Sequence, residues 1–327
     1  MLKVAMVSRW HAHANGYART IKGMEGIKIT AVWDEEAARG REWGKELGVD
    51  FEPDYDKLLA RPDVDAIICD APTTSHEDLM IRAAKAKKHI FTEKAMAPTV
   101  KECERIGEAI KANGITFVIS LPQRSTPVVR LAKKLIDNGD FGKISQVRIR
   151  NGHDGVSGDW LQKYWYDLTT TAGGAMMDLG CHPMYMASYL LDEPVKITSL
   201  MCSPLGNEMD ESATASILYK SGAVCTCETS FITLSTPGAL EIYGTDATLL
   251  AYGNDVKFIS KKTREYTDDY ITPKLPPAPP MPMQLFVDAC NNGTGSPKDY
   301  TIQDGIDLTL LLENSYISFN TGKTVEL

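Results

Sequence analysis

The N-terminal third of the chain alternates short apolar runs with longer stretches of helical spacing. KVAMV (3–7), KITAVWD (28–34), DAIICDAP (65–72), HIFTEKA (89–95) and ITFVISLP (115–122) are too short for helices and rich enough in apolar residues to be buried strands. A polar helix-like stretch separates the first two. EEAARGREWGKELG (35–48), SHEDLMIRAAKAK (75–87) and TVKECERIGEAIKANG (99–114) carry the helical pattern between the others. Strands alternating with helices imply right-handed crossovers and a parallel sheet, so residues 1–122 are expected to form a doubly wound, Rossmann-type domain.

After Pro122 the pattern changes. One helix (PVVRLAKKLIDNG, 127–139) is followed by strictly alternating segments such as KISQVRIRNG (143–152) and ATASILYKSGAVCTCETSFI (213–232), and by an irregular aromatic stretch, GDWLQKYWYDL (158–168). Alternation with polar partners suits an open, mainly antiparallel sheet covered on one face. The proline-rich PKLPPAPPMPM (273–283) leads into helical segments from about Gln284 and Ile302. Residues 123–327 are therefore read as an α+β domain for substrate binding and oligomerisation, and a homo-oligomer, dimer or tetramer, is expected because a lone open sheet leaves an apolar face uncovered.

Composition narrows the partners. The 327 residues are 43% hydrophobic and 24% charged, which is ordinary for globular domains and leaves no room for disorder. A net charge of -8 repels phosphate backbones and anionic membranes, so no nucleic-acid or membrane partner is expected. No apolar run approaches the roughly 20 residues of a membrane span, and the N-terminus reads as a strand rather than a signal peptide. The seven cysteines are scattered, an odd number without a disulfide framework, and read as free thiols of a cytoplasmic protein. Cys225 and Cys227 share one strand face but have no further Cys or His nearby to complete a zinc set.

A dinucleotide site needs glycines in the first strand-to-helix turn so that the backbone can approach the pyrophosphate. Here that turn runs from Val7 through Ser8, Arg9, Trp10, His11, Ala12 and His13 to Gly16, with serine, tryptophan and histidine about where the glycines would fall. His11 and His13 are read as donors to phosphate in place of glycine amides. No metal is expected, because nothing in the spacing of His11, His13, His76 and His182 fixes four ligands together. Asp34 ends the second strand, where a carboxylate accepts hydrogen bonds from the adenosine ribose and repels a 2'-phosphate, so NAD is expected and NADP less so. The plain alternative is a helix cap before Glu35.

Three motifs carry a resemblance. Ala71-Pro72-Thr73-Thr74-Ser75-His76 is similar to a T-P-x-x-x-H motif, Thr92-Glu93-Lys94-Ala95 to E-K-P, and the run from Gly173 and Gly174 through Asp178 to His182 to G-G-x-x-x-D-x-G-x-H, all of the Gfo/Idh/MocA family. Their order and spacing, with Asp304-Gly305 and the closing Thr321-Gly322-Lys323-Thr324-Val325, make the chain resemble that family from end to end. The resemblance implies a nucleotide-binding domain followed by a mixed sheet, a cofactor site including Ala71, Pro72, Thr73, His76, Glu93 and Lys94, and a catalytic trio at Lys94, Asp178 and His182. Ala95 stands where the family often has proline, which leaves the local peptide geometry open.

The chemistry asks for such a trio. Taking hydride from a carbinol carbon needs a base for the hydroxyl proton and a donor to steady the alkoxide. His182 suits the base; Asp178, four residues earlier, would share its helical face and fix the imidazole tautomer; Lys94 would hold the hydroxyl oxygen. Pro183 makes the shared face provisional. Read one by one, the bland alternatives are a core histidine, an N-cap and an exposed strand-end charge.

Gln123, Arg124, His153, Asp154, Trp160 and Trp165 are further candidates for binding a carbohydrate-like small molecule, by stacking and by hydrogen bonds to hydroxyls, against the alternative of packing and loop capping. The sequence thus points to an NAD-dependent dehydrogenase or reductase acting on a CH-OH group of a sugar, polyol or sugar derivative. A redox-neutral glycoside-cleaving enzyme with tightly held NAD, and a non-catalytic sensor that has lost its cofactor, remain as alternatives.

Overall fold

The computed structural model describes residues 1–327 and divides into two compact units, Met1–Ser120 with Pro280–Thr309, and Leu121–Pro279 with Leu310–Leu327. In the first unit β1 (Leu2–Val7), β2 (Ile27–Trp33), β3 (Asp50–Phe51), β4 (Ala66–Cys69), β5 (His89–Thr92) and β6 (Phe117–Ile119) form one parallel sheet in the order β3-β2-β1-β4-β5-β6. The helices between them are α1 (Ala14–Lys22), α2 (Ala37–Leu47), α3 (Tyr55–Ala60), α4 (His76–Lys85) and α5 (Val100–Asn113). Every residue of β4 and β6 is buried, as expected for parallel strands covered by crossover helices, whose sequences read as unbroken apolar runs. The strand order reverses between β1 and β4, and in such sheets ligands bind beyond the carboxyl ends of the strands at that switch point.

The chain divides after Ser120, within two residues of the expected boundary, but the expectation that everything beyond it forms the second domain needs a correction. After residue 279 the chain returns to the first unit: in α10 (Pro282–Asn292) Phe286 is fully buried with its ring 5.8 Å from that of Phe91, and the Asn291 amide donates to the Gly26 carbonyl at 2.9 Å. The physical reason lies at β6, which pairs with β5 on one side only. Its outer edge is satisfied by the returning segment, Phe117 N donating to Ser296 Oγ at 3.0 Å and Ile119 N to the Tyr300 carbonyl at 3.1 Å. Composition at the proline-rich stretch gives no sign of this return.

The second unit begins with α6 (Pro127–Asp137) and holds an eight-stranded sheet. Its strands are β7 (Ile144–Gly152), β8 (Pro194–Cys202), β9 (Ser212–Tyr219), β10 (Val224–Ser230), β11 (Ala239–Gly244), β12 (Ala247–Tyr252), β13 (Asp255–Ser260) and β14 (Val325–Glu326), in the order β13-β12-β11-β7-β10-β9-β8-β14. All pairs are antiparallel except β7 with β10, which run parallel, so the sheet is mixed but mainly antiparallel. Buried and exposed residues alternate along β8 and β9, and Leu200 on β8, Val224 on β10 and Tyr252 on β12 lie exposed. Two four-residue helices, α7 (Leu168–Thr171) and α8 (Ala175–Asp178), precede α9 (Cys181–Leu190) on the covered side, while α11 (Ile302–Thr321) contributes residues to both units. All seven cysteines are free, and Cys225 and Cys227 lie side by side in the core. No helix is long and apolar enough to cross a membrane.

Candidate active site

The glycine-poor turn after β1 closes largely on itself. Ser8 takes φ 71°, the left-handed conformation that glycine ordinarily supplies at such a turn. Its amide donates to the Trp33 carbonyl at 2.7 Å, the next amide, of Arg9, to Asp34 Oδ2 at 2.8 Å, and Trp10 N to Ser8 Oγ at 3.0 Å. His11 N donates to the Asp70 carbonyl at 3.0 Å and His13 N to His11 Nδ1 at 3.1 Å. The amides that a glycine-rich turn would offer to phosphate are therefore mostly taken, and the side chains of the turn are its remaining polar groups. The Arg9 guanidinium bonds to Asn15 and Glu46 over the Trp43 ring, and Trp10 is buried.

Because β1, β4 and β5 are neighbours, their carboxyl ends bring His11, Asp70 and Glu93 together. His13 Nδ1 lies 3.0 Å from Glu93 Oε1 and His11 Nε2 3.9 Å from Glu93 Oε2. The Tyr17 hydroxyl donates to Glu93 and lies 2.7 Å from Ser120 Oγ. Burial alone would push the Glu93 carboxyl up, but the charges of His11, His13 and Lys94 hold it well below the usual carboxylate range. Asp70 behaves oppositely: burial, and then the charge of Glu93, push it well up, and neither of its buried oxygens has a hydrogen-bond partner. Two buried carboxyl groups whose pKa values are pushed in opposite directions thus sit together at the end of the sheet.

Lys94 is buried, its amide donating to Glu93 Oε2 at 3.0 Å, and the Lys94–Ala95 peptide is cis, which answers the question raised by the missing proline. His76 fastens this segment. Its Nε2 is 3.0 Å from the Ala71 carbonyl, and its Nδ1 3.1 and 3.2 Å from those of Ala95 and Met96. Burial lowers the pKa of this imidazole. His76 is therefore a strut behind the Ala71, Pro72 and Thr73 loop. Asp34 differs from the expectation of an open ribose acceptor: its side chain is buried, and Arg39 Nε and Nη2 at 2.9 and 2.8 Å join Arg9 N and Glu36 N at 2.8 Å around the carboxylate. Arg39, five residues on in α2, reaches back with the fork geometry that carboxylates favour.

In the second unit the glycine pair has a steric purpose. Gly174 N and Met176 N donate to the two oxygens of Asp210 at 2.9 and 2.7 Å, Ala175 N donates to the Asp210 carbonyl at 2.8 Å, and the Tyr316 hydroxyl bonds the same carboxylate at 2.8 Å. A Cβ on Gly174 would lie 2.2 Å from the Asp210 carbonyl oxygen. Asp210 and Tyr316 seat the start of α8, and sequence reasoning missed both, because neither stands in a recognisable motif.

The expectation that Asp178 and His182 share one helical face is corrected. Asp178 ends α8, and α9 starts at Cys181, so the two belong to different helices. The Asp178 carbonyl accepts from Cys181 Sγ at 2.9 Å, while His182 Nδ1 lies 2.8 Å from the Tyr185 hydroxyl. Pro183 is tolerated because it falls in the first turn of α9, where its missing N–H costs no helical bond. Tyr185, not flagged by the sequence, is fully buried; its hydroxyl accepts from Gln123 N at 3.2 Å and its carbonyl from Arg124 Nη2 at 3.1 Å.

With this geometry the comparisons can be placed. Residues 5–120 match the model of the oxidoreductase family with an NAD-binding Rossmann fold, and residues 129–250 that of the GFO/IDH/MocA C-terminal domain. The chain belongs to the Gfo/Idh/MocA family. It is an NAD-binding oxidoreductase of that family. It is 26% identical to the myo-inositol 2-dehydrogenase of Thermotoga maritima over 77% of this chain and 73% of that one, and 28% identical to the 2,7-anhydro-N-acetylneuraminate hydratase of Escherichia coli over 77% and 71%. Its fold matches that of levoglucosan dehydrogenase in complex with NADH and levoglucosan, with a TM-score of 0.87, 20% identity and 99% of both chains covered.

The remaining candidates of this Gfo/Idh/MocA protein fall into two groups. Arg124 is buried over the Tyr189 ring, 5.2 Å from its centroid, and donates to the Tyr185 carbonyl. His153, Asp154 and Trp160 form a local cluster after β7: His153 stacks on Phe231 at 5.2 Å, and Trp160 Nε1 donates to Asp154 at 3.0 Å while half of Trp160 stays exposed. Trp165 is buried in the turn Lys163–Tyr166. Gln123 borders an open groove that Arg150, Asn151, Met186 and Leu240 also line and that the other five do not.

Proposed function

We propose that this oxidoreductase removes a hydride from a hydroxyl-bearing carbon of a small sugar, polyol or sugar derivative, with His182 as base and Lys94 as the group that holds the hydroxyl oxygen. The observation that carries the reading is the setting of His182, a buried imidazole at the start of α9 oriented by a tyrosine hydroxyl. When Nε2 takes the substrate proton, Nδ1 keeps its own and donates it to the Tyr185 oxygen, which has a second lone pair for Gln123 N. The Lys94 ammonium steadies the alkoxide as the proton leaves. Asp178, at the end of α8, is retained as the third group of the proposed centre.

NAD, when bound, supplies the hydride acceptor. The residues that would hold it are Ser8, Trp10, His11 and His13 in the first turn, Ala71, Pro72 and Thr73 after β4, and Glu93. The fit is favourable at the switch point, where Ser8 supplies the backbone conformation of the absent glycine. Around Asp34, one guanidinium faces the three carboxylates of Asp34, Glu35 and Glu36, so the local charge is negative and a 2'-phosphate is disfavoured. Gln123, His153, Asp154, Trp160 and Trp165 are retained as candidate sugar contacts.

The open face of the eight-stranded sheet, with Leu200 and Val224 exposed, supports a homo-oligomer, and the free thiols support a cytoplasmic location. The test of function is a panel of inositols, anhydrosugars and aldoses with NAD: nicotinamide absorbance should rise in step with substrate consumed. Product formed with no net change in absorbance would overturn net dehydrogenation and favour a redox-neutral reaction, such as hydration.

A further inference from the structure

The first-turn cluster offers a chemistry that the hydride reaction does not use. One donor atom each from His11, His13 and Glu93 lies within 4.8 Å of the others, two imidazole nitrogens and a carboxylate oxygen. Donors sharing one ion at about 2.0–2.2 Å stand roughly 3.3 Å apart in a tetrahedron, and the His13–Glu93 and His11–Glu93 pairs already stand at 3.0 and 3.9 Å. The two distances run to different oxygens of Glu93, Oε1 for His13 and Oε2 for His11, so a rotation of the carboxylate and a shift of the half-exposed His13 side chain close the set. From this geometry we infer that His11, His13 and Glu93 form a site for one divalent transition-metal ion of the zinc class.

A second observation points the same way. Asp70, wholly buried beside Glu93, has no hydrogen-bond partner on either oxygen. Two carboxyl groups in one dry pocket are costly unless one is protonated or a cation stands between their charges. A dication held by Glu93 supplies that charge beside the unpartnered Asp70 oxygens. The donor types fit zinc, cobalt or nickel better than magnesium or calcium, which prefer all-oxygen shells. Three protein ligands leave a coordination position for water or an anion, as in open rather than structural sites.

The site has a cost. His13 N donates to His11 Nδ1, so neutral His11 carries its proton on Nε2. Binding at Nε2 moves that proton to Nδ1 and gives up a backbone hydrogen bond, a net loss of about 1 kcal/mol, small beside the bonds to an ion. The location is also consistent with the turn: the amides that would meet a phosphate are spent internally, and an ion there would restore positive charge at the end of the sheet.

The test uses the full chain, freed of any affinity tag and stripped with chelator, titrated with Zn²⁺ by calorimetry and with Co²⁺ by visible absorbance. One equivalent should bind, with the absorption bands of nitrogen- and oxygen-ligated Co²⁺. Outer-sphere changes alone cost about 10- to 100-fold in metal affinity, so His13→Ala, which removes a ligand at a half-exposed position, should weaken binding by at least about a hundredfold. His153→Ala should bind as the parent does. Zn²⁺ should raise the melting temperature of the parent protein and leave that of His13→Ala unchanged, which separates a lost site from a lost fold. Equal affinity in the parent and His13→Ala, or no Co²⁺ bands in a folded parent, would overturn the site.

Discussion

Two buried histidine sites in this molecule are built in opposite ways. His11, with its half-exposed neighbour His13, sits in a charged network with Glu93, Lys94 and Asp70 around it. His182 faces a neutral group at Nδ1, the Tyr185 hydroxyl. A carboxylate stabilises the charged form of an imidazole it faces, whereas a phenol orients the ring with little preference between its forms. The first arrangement suits holding charge, whether of a phosphate or a metal ion. The second suits giving and taking a proton, which is the contrast on which the proposed division of binding and chemistry rests.

The largest effect that can break this assignment is the loss of His182. His182→Ala should lower kcat by about a hundred- to ten-thousandfold, roughly 3 to 5 kcal/mol of barrier, with NAD affinity nearly unchanged by fluorescence titration. Near-parental turnover would move the base elsewhere, first to Lys94. Tyr185→Phe sharpens the same point: it should cost about tenfold in kcat and shift the pH profile of kcat, because only the orientation of the imidazole is touched.

The scaffold of that second site can be broken without touching its chemistry. Gly174→Ala puts a Cβ against the Asp210 carbonyl oxygen, so overpacking should cost about 1–3 kcal/mol in denaturant unfolding. An unchanged midpoint would mean that α8 shifts at no cost and that Asp210 does not anchor it.

On the binding side, NAD should be preferred over NADP by about ten- to a hundredfold, the worth of a charge-assisted contact of roughly 1.5–3 kcal/mol. Asp34→Ala should erase or invert the preference, since Arg39 then faces the 2'-phosphate with its bidentate partner gone. Tight NADP binding by the parent protein would refute the charge argument.

The smallest effect concerns His76. Its folded pKa lies below the ordinary value of 6.5, because burial disfavours the imidazolium. Between those two values the unfolded chain binds more protons than the folded one, so stability rises with pH. It should be intact above about pH 6.5 and fall as the pH drops through and below that value. His89, lowered by burial as well, acts in the same direction. His76→Gln should lessen the loss of melting temperature between pH 7 and 5, and an identical slope would remove His76 as its source.

Local pattern determined the two kinds of sheet and the alternation of strands and helices up to residue 122 apart from the short β3 and α3, and the contiguous motifs carried the family resemblance and with it the NAD-binding class. These are properties of short segments: buried parallel strands must be apolar throughout, half-covered strands must alternate, and a motif is contiguous. Tertiary structure decided what depends on residues far apart in the chain. The return of Phe286, Ser296 and Tyr300 to the first unit follows from the unpaired edge of β6, which no local pattern announces. Arg39 closing on Asp34, Asp210 holding the start of α8 and Tyr185 meeting His182 Nδ1 are each set by the angle at which one element leaves another. The meeting of His11 with Glu93, 82 positions apart, was fixed by the adjacency of β1, β4 and β5, because parallel strands deliver their carboxyl ends to one edge whatever their separation in sequence.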